Sequence, residues 1–250
     1  MTGFICIDKP ENMTSFTAAN LVKRITGSIK AGHTGTLDPM ATGVLTVALS
    51  GATRFIELIP DHEKSYTARI LLGVTTDTLD ITGTVTGKEI EREKRKINIT
   101  EIRAYDFSDN EFSLDVTCSA GTYIRSLADD IGKKLGCGAV LKSLRRTRAN
   151  GFSTDDCITI EKLREICENG ELGNYVMPVS RVLSQYKEVH VTAAQAVRFK
   201  NGGELFLDRI GNPKGDGFFR VFSPENEFLG IGEKNVETGC LAVKRVLQGE

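Results

Sequence analysis

The sequence lacks the residues and motifs that several enzyme classes require. Its three histidines, His33, His62 and His190, lie far apart, which argues against a zinc site. Its six cysteines form no CxxC pair and lie mostly in apolar or strand-like surroundings, so we expect reduced thiols in a cytoplasmic protein. Neither a phosphate-binding GxxxxGK(S/T) loop nor a GxSxG nucleophile motif is present. Metal chemistry, nucleotide hydrolysis at a phosphate-binding loop and serine-hydrolase chemistry are therefore not predicted.

The features of secreted and membrane proteins are also absent. No segment is long and apolar enough to span a membrane, and the N-terminus MTGFICIDKP has no basic start before a long apolar stretch. The net charge of −1 argues against a protein that coats nucleic acid indiscriminately. Six basic residues nevertheless fall in one short segment: Lys133, Lys134, Lys142, Arg145, Arg146 and Arg148. On charge alone, a nucleic-acid-binding surface and a solvated face balanced by Asp129 and Asp130 are equally open.

Periodic apolar residues predict a first domain that mixes strands and helices. Strands are predicted at four places: Phe4–Asp8, Val44–Leu49, Tyr66–Leu72 and Phe112–Cys118. Thr14 or Ser15 can cap a first helix, and a second helix follows the apolar stripe from Ile124 to Leu135 and ends at Gly136. The remaining predictions are a shorter helix and an antiparallel strand: Glu161–Cys167 and Thr84–Thr86.

From about Val182 onward the sequence predicts a smaller, β-rich module. Glycine-rich turns separate one short helix from three brief strands: Thr192–Phe199, Phe218–Phe222, Phe228–Ile231 and Leu241–Val246. We therefore predict two domains, residues 1–181 and 182–250, with a boundary near Arg181. The charged run from Lys88 to Lys96 predicts an exposed connection with no role of its own.

The segment 32–54, GHTGTLDPMATGVLTVALSGATR, indicates function more strongly than any other. It holds one carboxylate, Asp38, among Gly, Thr and Pro residues, and it leads into an apolar strand. Its glycines permit backbone angles closed to other residues, while Pro39 fixes its own φ and restricts Asp38 toward extended conformations. Such a loop presents a side chain in one orientation. The alternative is that Asp38 merely begins a turn, since Asp-Pro is a common turn initiator.

Arg125 is a candidate partner for Asp38. It falls in the first turn of the predicted second helix, where a cation opposes the helix dipole and requires a nearby anion. If Asp38 is that anion, the pair orients the carboxylate; the alternative is an ordinary surface arginine. Two other acidic residues, Asp77 and Asp80, lack the spacing of a calcium-binding loop.

Three further side chains are open to two interpretations each. Tyr66 and Tyr123 either line a pocket or pack in the core. The core is the usual place for an aromatic residue on a strand or beside a helix. His33 either stacks on a ligand or forms a hydrogen bond within its own loop.

Long stretches of the sequence resemble, in order, the motifs of the TruB-type tRNA pseudouridine synthases. GHTGTLDPMATGVL resembles the signature of that family, and ICIDKPENMTSF resembles its N-terminal Lys-Pro motif. KSYTARILLGVTTDTLDITG is similar to the tyrosine-bearing strand and the loop after it. CSAGTYIRSLADDIGKKLGCGAVLKSLRRTRANGF is similar to the arginine motif and the basic segment that follows. The C-terminal part resembles the family's small PUA-like RNA-binding domain.

The resemblance implies a fold, a reaction and a partner. The implied fold is an α+β pseudouridine synthase domain around a mixed, largely antiparallel sheet, with the active cleft across its middle and a small β-rich PUA-like domain after it. The implied reaction isomerises the uridine at tRNA position 55, in the T-loop, after the base is flipped into the active site. No cofactor and no metal are implied. The partner is tRNA through its T-stem and loop, with no membrane, no obligate protein partner and a monomer by default.

The resemblance also implies roles for individual residues. Asp38 matches the catalytic aspartate, Tyr66 the tyrosine that packs on the target base and assists proton removal, and Arg125 the arginine that pairs with the aspartate. Lys9, with Pro10, matches a motif that supports the active-site loop, and Leu144 the leucine that packs against the uracil. The implied substrate-binding residues are His33, Tyr123, Leu144, Lys9, Arg145 and Arg146.

The sequence departs from the family pattern at two places. Asn12 stands where the family usually has Gly, and Asn tolerates left-handed backbone angles. Between Lys88 and Glu89, which are adjacent here, the family normally has several tens of residues that include an RNA-gripping insertion. We therefore expect a different grip on tRNA but an unaltered catalytic loop.

Two other functions compete with this assignment. One is a non-catalytic RNA-binding or RNA-folding module, which would not need Asp38, Tyr66 and Arg125 together. The other is a related synthase that acts on a different RNA uridine, because recognition of RNA depends on its shape. Release of tritium from RNA labelled at carbon 5 of uracil distinguishes these functions.

Overall fold

The structure is a computed structural model that describes residues 1–60, 63–86 and 96–248. His62, the junction of Lys88 with Glu89 and all but the last residue of the predicted charged connection lie outside the described residues.

Strands and helices alternate through the first two thirds of the chain, and strands predominate afterwards. The strands are β1 Gly3–Lys9, β2 Ala31–Thr34, β3 Thr42–Leu49, β4 Lys64–Leu72, β5 Ile99–Ser108, β6 Glu111–Cys118, β7 Ala139–Ala149, β8 Phe152–Ser153, β9 Lys187–His190, β10 Leu205–Phe206, β11 Phe218–Phe222, β12 Phe228–Asn235 and β13 Cys240–Val246. The α-helices are α1 Ser15–Thr26, α2 Ile124–Leu135, α3 Ile160–Glu168, α4 Val179–Val182 and α5 Ala193–Lys200.

The predicted helix ends are confirmed by the capping geometry. Thr14 precedes α1, and its hydroxyl accepts a hydrogen bond from the backbone N–H of Thr17 at 3.0 Å. Gly136 ends α2 in the left-handed conformation, with φ of 77°. Asn12 also has a positive φ, 60°, which is the left-handed conformation that asparagine tolerates. None of the described helices is long and apolar enough to cross a bilayer.

The first sheet is mixed but largely antiparallel, as predicted. Its strand order is β1-β3-β7-β4-β6-β5, with β2 paired to β3 and β8 paired to β7. The exception to antiparallel pairing is the short junction of β3 with β7, where Thr42 pairs with Arg145 and Gly43 with Arg146. Gly43 has a φ of 101°, and a Cβ there would lie 2.2 Å from the carbonyl oxygen of Arg146. Only glycine permits this close approach of the two strands.

Two apolar clusters cover the first sheet. Helix α2 packs on strands β4, β6 and β7 through residues such as Ile124, Ala128, Ile70 and Leu114. Helices α1 and α3 pack on β1 and β3 through a second set of residues: Ala18, Val22, Ile5, Val47 and Leu163. These helices hold the middle of the sheet, where β3, β7 and β4 are adjacent.

The second sheet consists of strands after residue 186, in the order β10-β13-β12-β11-β9. Its own core includes Phe199, Phe219 and Leu241. A further cluster joins the two sheets, because Phe4 and Phe55 belong to it together with Phe222, Phe228 and Ile231. The predicted β-rich module is present, while the boundary near Arg181 stays a prediction.

Several strands were not expected from the sequence. β2, β5 and β7 fall in segments where no strand was predicted, and β7 is central to the sheet. Conversely, the strand predicted at Thr84–Thr86 is reduced to one isolated bridge between Val85 and Thr76.

Candidate active site

The loop between β2 and β3, residues 35–41, presents Asp38. The backbone N–H of Ala41 donates to the carbonyl of Asp38 at 3.0 Å, so Asp38 does begin a turn with Pro39. The hydroxyl of Ser15, at the start of α1, donates to the carbonyl of Leu37 at 3.1 Å and accepts from its N–H at 2.8 Å. Ser15 therefore anchors the loop at Leu37, the residue before Asp38. The side chain of Asp38 itself is 34% exposed.

Arg125 forms a two-point ion pair with Asp38. Its Nε lies 3.0 Å from Oδ2 and its Nη2 lies 3.3 Å from Oδ1 of Asp38. Arg125 belongs to the first turn of α2, where the helix dipole disfavours a cation, and the carboxylate offsets that cost. This planar, two-contact geometry fixes the direction of the Asp38 carboxylate.

Asp80 is a second anion that contacts Arg125. Its sequence spacing from Asp77 does not fit a calcium-binding loop, and no other role was predicted for it. Its Oδ2 lies 3.4 Å from Nη1 of Arg125, and the side chain is 5% exposed. Burial raises the pKa of Asp80, but hydrogen bonds from Thr82 and Thr78 and the charge of Arg125 outweigh it and lower the pKa below its usual value. Asp80 is therefore an ionised group that holds Arg125 from the side opposite Asp38.

The clue to Asp80 was its repeated hydroxyl neighbours. In TDTLDIT, threonines stand two residues before and two residues after Asp80, and both hydroxyls donate to its Oδ1, at 2.9 and 2.6 Å. A carboxylate that accepts several local hydrogen bonds is a preorganised partner for a cation. Nothing in the sequence, however, indicated that the cation would be Arg125.

Lys9 is buried behind the Asp38 loop and does not face a substrate. It is 0% exposed, and its Nζ donates to the carbonyls of Pro10, Met13 and Pro39 at 2.8, 2.6 and 3.3 Å. Its assignment as a substrate-binding residue is therefore corrected, because a side chain without accessible surface cannot contact RNA. The supporting role implied for the Lys-Pro motif agrees with the contact to Pro39.

Arg146 is also buried, so its assignment to an exposed, substrate-binding basic surface is corrected. It is 1% exposed and donates to the carbonyls of Val44, Gly35 and Thr36 at 2.8, 3.0 and 3.4 Å. Strand β7 determines this burial, because Leu144 and Arg146 lie on the same face and Arg145 lies on the other. The burial of Arg146 was not predicted from the sequence, because no strand was predicted at residues 139–149.

The rest of the predicted basic surface is largely paired with acidic groups. Arg145 makes a two-point contact with Asp8 at 3.0 and 2.7 Å, and its side chain is 41% exposed. Lys133 pairs with Asp129, and Lys142 with Glu111. Among the described residues, the exposed Lys134 and Arg148 form no ion pair.

Tyr66 and Leu144 pack beside the Asp38 loop as part of an apolar cluster. They are 8% and 7% exposed and belong to one cluster with Leu37, Met40 and Ala41. Burial raises the pKa of Tyr66, an effect that the nearby Arg146 opposes and the charge of Asp38 reinforces. A pocket of about 360 Å³ is lined by residues that include Met40, Leu144 and Arg145, but not by Asp38, Tyr66 or Arg125.

His33 and Tyr123 lie at the edges of this arrangement. His33 is half-buried on β2, and burial, followed by the charge of Arg146, lowers its pKa and so favours the neutral imidazole. Its Nδ1 is buried and has no hydrogen-bond partner among the described residues. Tyr123 is 55% exposed and immediately precedes α2, which leaves its ring accessible to a ligand.

Family models match nearly the whole chain. The model of the TruB family pseudouridylate synthase N-terminal domain matches residues 23–89 and 84–124. The tRNA pseudouridylate synthase B C-terminal domain matches residues 125–184, and the model of pseudouridine synthase II TruB, C-terminal, matches 188–247. The chain belongs to the TruB family of pseudouridylate synthases. It is therefore an enzyme, an isomerase of the pseudouridine synthase class.

Relatives and solved structures agree with this family. tRNA pseudouridine synthase B of Clostridium tetani is 34% identical over 288 aligned residues, which cover 95% of this chain and 97% of the relative. The enzyme of the same name from Escherichia coli K12 is 32% identical over 303 residues, with 99% and 95% coverage. The archaeal box H/ACA sRNP Nop10–Cbf5 complex superposes with a TM-score of 0.78 and 26% identity over 98% of this chain and 86% of that one.

The relatives contain residues that have no counterpart in this chain, because the alignments are longer than its 250 residues. The N-terminal family model matches in two stretches that overlap at residues 84–89. That the missing segment belongs between Lys88 and Glu89 stays a prediction.

Proposed function

We propose that this enzyme converts the uridine at position 55 in the T-loop of tRNA to pseudouridine, with Asp38 as the catalytic group. The observation that carries the proposal is the two-point ion pair of Asp38 with Arg125, at 3.0 and 3.3 Å, on an anchored loop beside Tyr66. The relatives named tRNA pseudouridine synthase B support tRNA as the substrate.

The reaction rearranges one nucleotide without a redox change. The bond between uracil N1 and the ribose anomeric carbon breaks, and a bond forms from uracil C5 to that carbon. The hydrogen at C5 leaves as a proton, and N1 gains one, so the product is an isomer. No group is transferred to water, and the steps require only acid–base and covalent chemistry of side chains.

The target base must first leave its stack in the folded T-loop. Extrusion costs roughly a few kcal/mol, and contact of the base with aromatic and apolar side chains recovers part of it. Tyr66 and Leu144 supply buried apolar surface at the loop, and the exposed ring of Tyr123 supplies a face for stacking. These three side chains are the receiving surface in this proposal.

Asp38 then acts in one of three ways that share one requirement. It attacks the ribose anomeric carbon, attacks the uracil ring, or removes a proton from the ribose. Each step uses an ionised carboxylate with a defined direction, which the two contacts from Arg125 provide. In this proposal Tyr66, which packs beside the loop, assists removal of the C5 proton.

The test is tritium release from a T-stem-loop RNA labelled at carbon 5 of uracil. We expect wild-type enzyme to release tritium and Asp38→Asn to release none above background, with RNA affinity within about threefold of wild type. The reason is that the amide keeps the shape but loses the charge and the nucleophilic oxygen. Normal turnover by Asp38→Asn would refute the assignment.

Asp106→Asn is the matched control. Asp106 also pairs with an arginine, since its Oδ2 lies 2.7 Å from Nη1 of Arg69, but its side chain is 68% exposed on the far strand β5. This variant loses the same charge and is expected to keep wild-type turnover. RNA binding without tritium release by the wild-type enzyme would instead indicate a non-catalytic RNA-binding module. Release from another RNA but not from the T-loop would indicate a different substrate.

A further inference from the structure

Arg146 connects both ends of the Asp38 loop through one planar group. Its Nη2 and Nη1 donate to the carbonyls of Gly35 and Thr36, before Asp38, and its Nε donates to the carbonyl of Val44, after it. Because the guanidinium is rigid and planar, the three acceptors are held at fixed positions relative to each other. The path of the loop through Asp38 is thereby constrained from both sides.

Arg146 is also adjacent to Tyr66. The two residues are paired across β4 and β7, and the positive charge of Arg146 opposes the rise that burial causes in the pKa of Tyr66.

The burial of Arg146 removes its guanidinium from water, which costs free energy. A buried arginine with a purely structural role usually offsets this cost with a carboxylate partner. Within the described part of the chain no carboxylate pairs with Arg146, and burial lowers its pKa. A buried cation that meets only carbonyl dipoles is less well compensated than a salt-bridged one. Arg220 shows the usual solution: it donates to three carbonyls, of Tyr186, Ser180 and Ser184, and also pairs with Glu188 at 3.0 Å.

We propose that Arg146 is a positioning residue of the isomerisation, which holds the Asp38 loop at both ends. The inference rests on the proposed function, because it assigns a task to the same site. It predicts that Arg146 acts on the chemical step and not on RNA affinity, since its own side chain is inaccessible to RNA. The closest precedent in physical terms is the loss of rate when reacting groups are displaced by about 1 Å, which reaches about 100-fold.

The experiment compares Arg146→Lys and Arg146→Met with wild type in single-turnover tritium release from the T-stem-loop RNA. We expect the rate of the chemical step to fall on the order of 100-fold in Arg146→Met and less in Arg146→Lys, which keeps the charge but not the forked geometry. RNA affinity, measured separately by filter binding, should stay within about threefold. Arg146→Lys keeps the test decisive if Arg146→Met fails to fold.

Arg220→Met is the matched control for a purely structural effect. Arg220 is a second largely buried arginine that donates to three carbonyls, but it lies on β11, in the second sheet. We expect this variant to melt at a lower temperature than wild type while its folded fraction keeps the wild-type rate.

Two results would overturn the inference. One is a folded Arg146 variant whose rate per folded molecule stays within about threefold of wild type; the other is a variant that loses RNA affinity in proportion to rate. A failure of the proposed function looks different, because then wild-type enzyme itself releases no tritium from this RNA.

Discussion

At the residue scale, the site contains three cations, Arg125, Arg146 and Lys9, which contact different kinds of acceptor. Arg125 lies between two carboxylates, Asp38 at 3.0 Å and Asp80 at 3.4 Å, and is therefore held from both sides. Arg146 and Lys9 are buried behind the loop and contact carbonyl oxygens instead. The accessible cation thus directs the Asp38 carboxylate, while the buried cations hold the backbone that carries it.

Lys9 should titrate far below an ordinary lysine. Burial lowers its pKa to about 8, and the positive charge of Arg146 contributes in the same direction. Carbon-13 NMR of labelled lysine Cε, with Lys9→Met for assignment, should show one lysine with a midpoint near pH 8 and the exposed ones near 10.5. A Lys9 midpoint near 10.5 would contradict the burial seen in the structure.

The lowered pKa of Lys9 also makes the stability of the protein depend on pH. Between pH 8 and 10.5 the unfolded chain binds a proton at Lys9 that the folded chain has lost, so the free energy of unfolding should rise with pH relative to Lys9→Met. Above pH 8 the neutral amine has two donors for three carbonyls. The contact to Pro39, at 3.3 Å the longest of the three, should be the first to be lost.

At the element scale, the site depends on the junction of β3 with β7. These strands meet over two residue pairs, and this junction places Arg146 against the carbonyls of the Asp38 loop. Gly43 makes the approach possible because it has no Cβ. The parallel junction therefore sets the geometry of a loop whose residues are otherwise determined locally.

Gly43→Ala should disrupt both stability and rate. The substitution combines an unfavourable positive φ with a Cβ placed 2.2 Å from the carbonyl oxygen of Arg146, so β3 and β7 must separate. We expect a loss of about 2–4 kcal/mol in the free energy of unfolding, measured by urea titration, and a tritium-release rate reduced at least tenfold in the folded fraction.

Gly27→Ala is the control for Gly43→Ala. Gly27 ends α1 with a φ of 64°, but a Cβ there would meet nothing within 4 Å. This variant carries the backbone strain without the steric conflict, so it should cost about 1 kcal/mol and leave the rate unchanged. Equal effects of the two substitutions would show that strand separation is not the cause.

At the scale of the whole molecule, the two sheets share a core. Phe228 of β12 contacts the ring of Phe55 at a centroid distance of 6.0 Å and that of Phe222 at 5.6 Å. Phe55 lies in the 3₁₀ segment after β3, so the cluster continues from the first sheet into the second. We infer that unfolding of one sheet exposes apolar surface of the other.

Phe228→Ala should therefore destabilise the whole described chain in one transition. Removal of the ring from a shared core is expected to cost about 3–5 kcal/mol, with circular dichroism and near-ultraviolet tyrosine signals changing together in urea. Phe206→Ala, at a site 48% exposed in the second sheet, serves as control and should cost less than about 1 kcal/mol. Two separate transitions in wild type would contradict a shared core.

The sequence alone determined the parts of this protein that depend on near neighbours or on long motifs. The Asp38 loop, the capped helices α1 and α2 and the alternation of β4 and β6 follow from local residue patterns, and the long motifs determined the family. The resemblance implied the pairing of Asp38 with Arg125, and the position of Arg125 in the first turn of a helix left it open beside an ordinary surface arginine.

The tertiary structure decided which charged side chains are accessible. Six basic residues in one segment look equivalent in sequence, yet Arg146 is buried and Arg145 is half-exposed. Asp80 likewise became a partner of Arg125 only when its loop was placed against β7. The physical reason is that burial and pairing depend on the register between strands distant in sequence, and a shift of one residue exchanges the two faces of a strand.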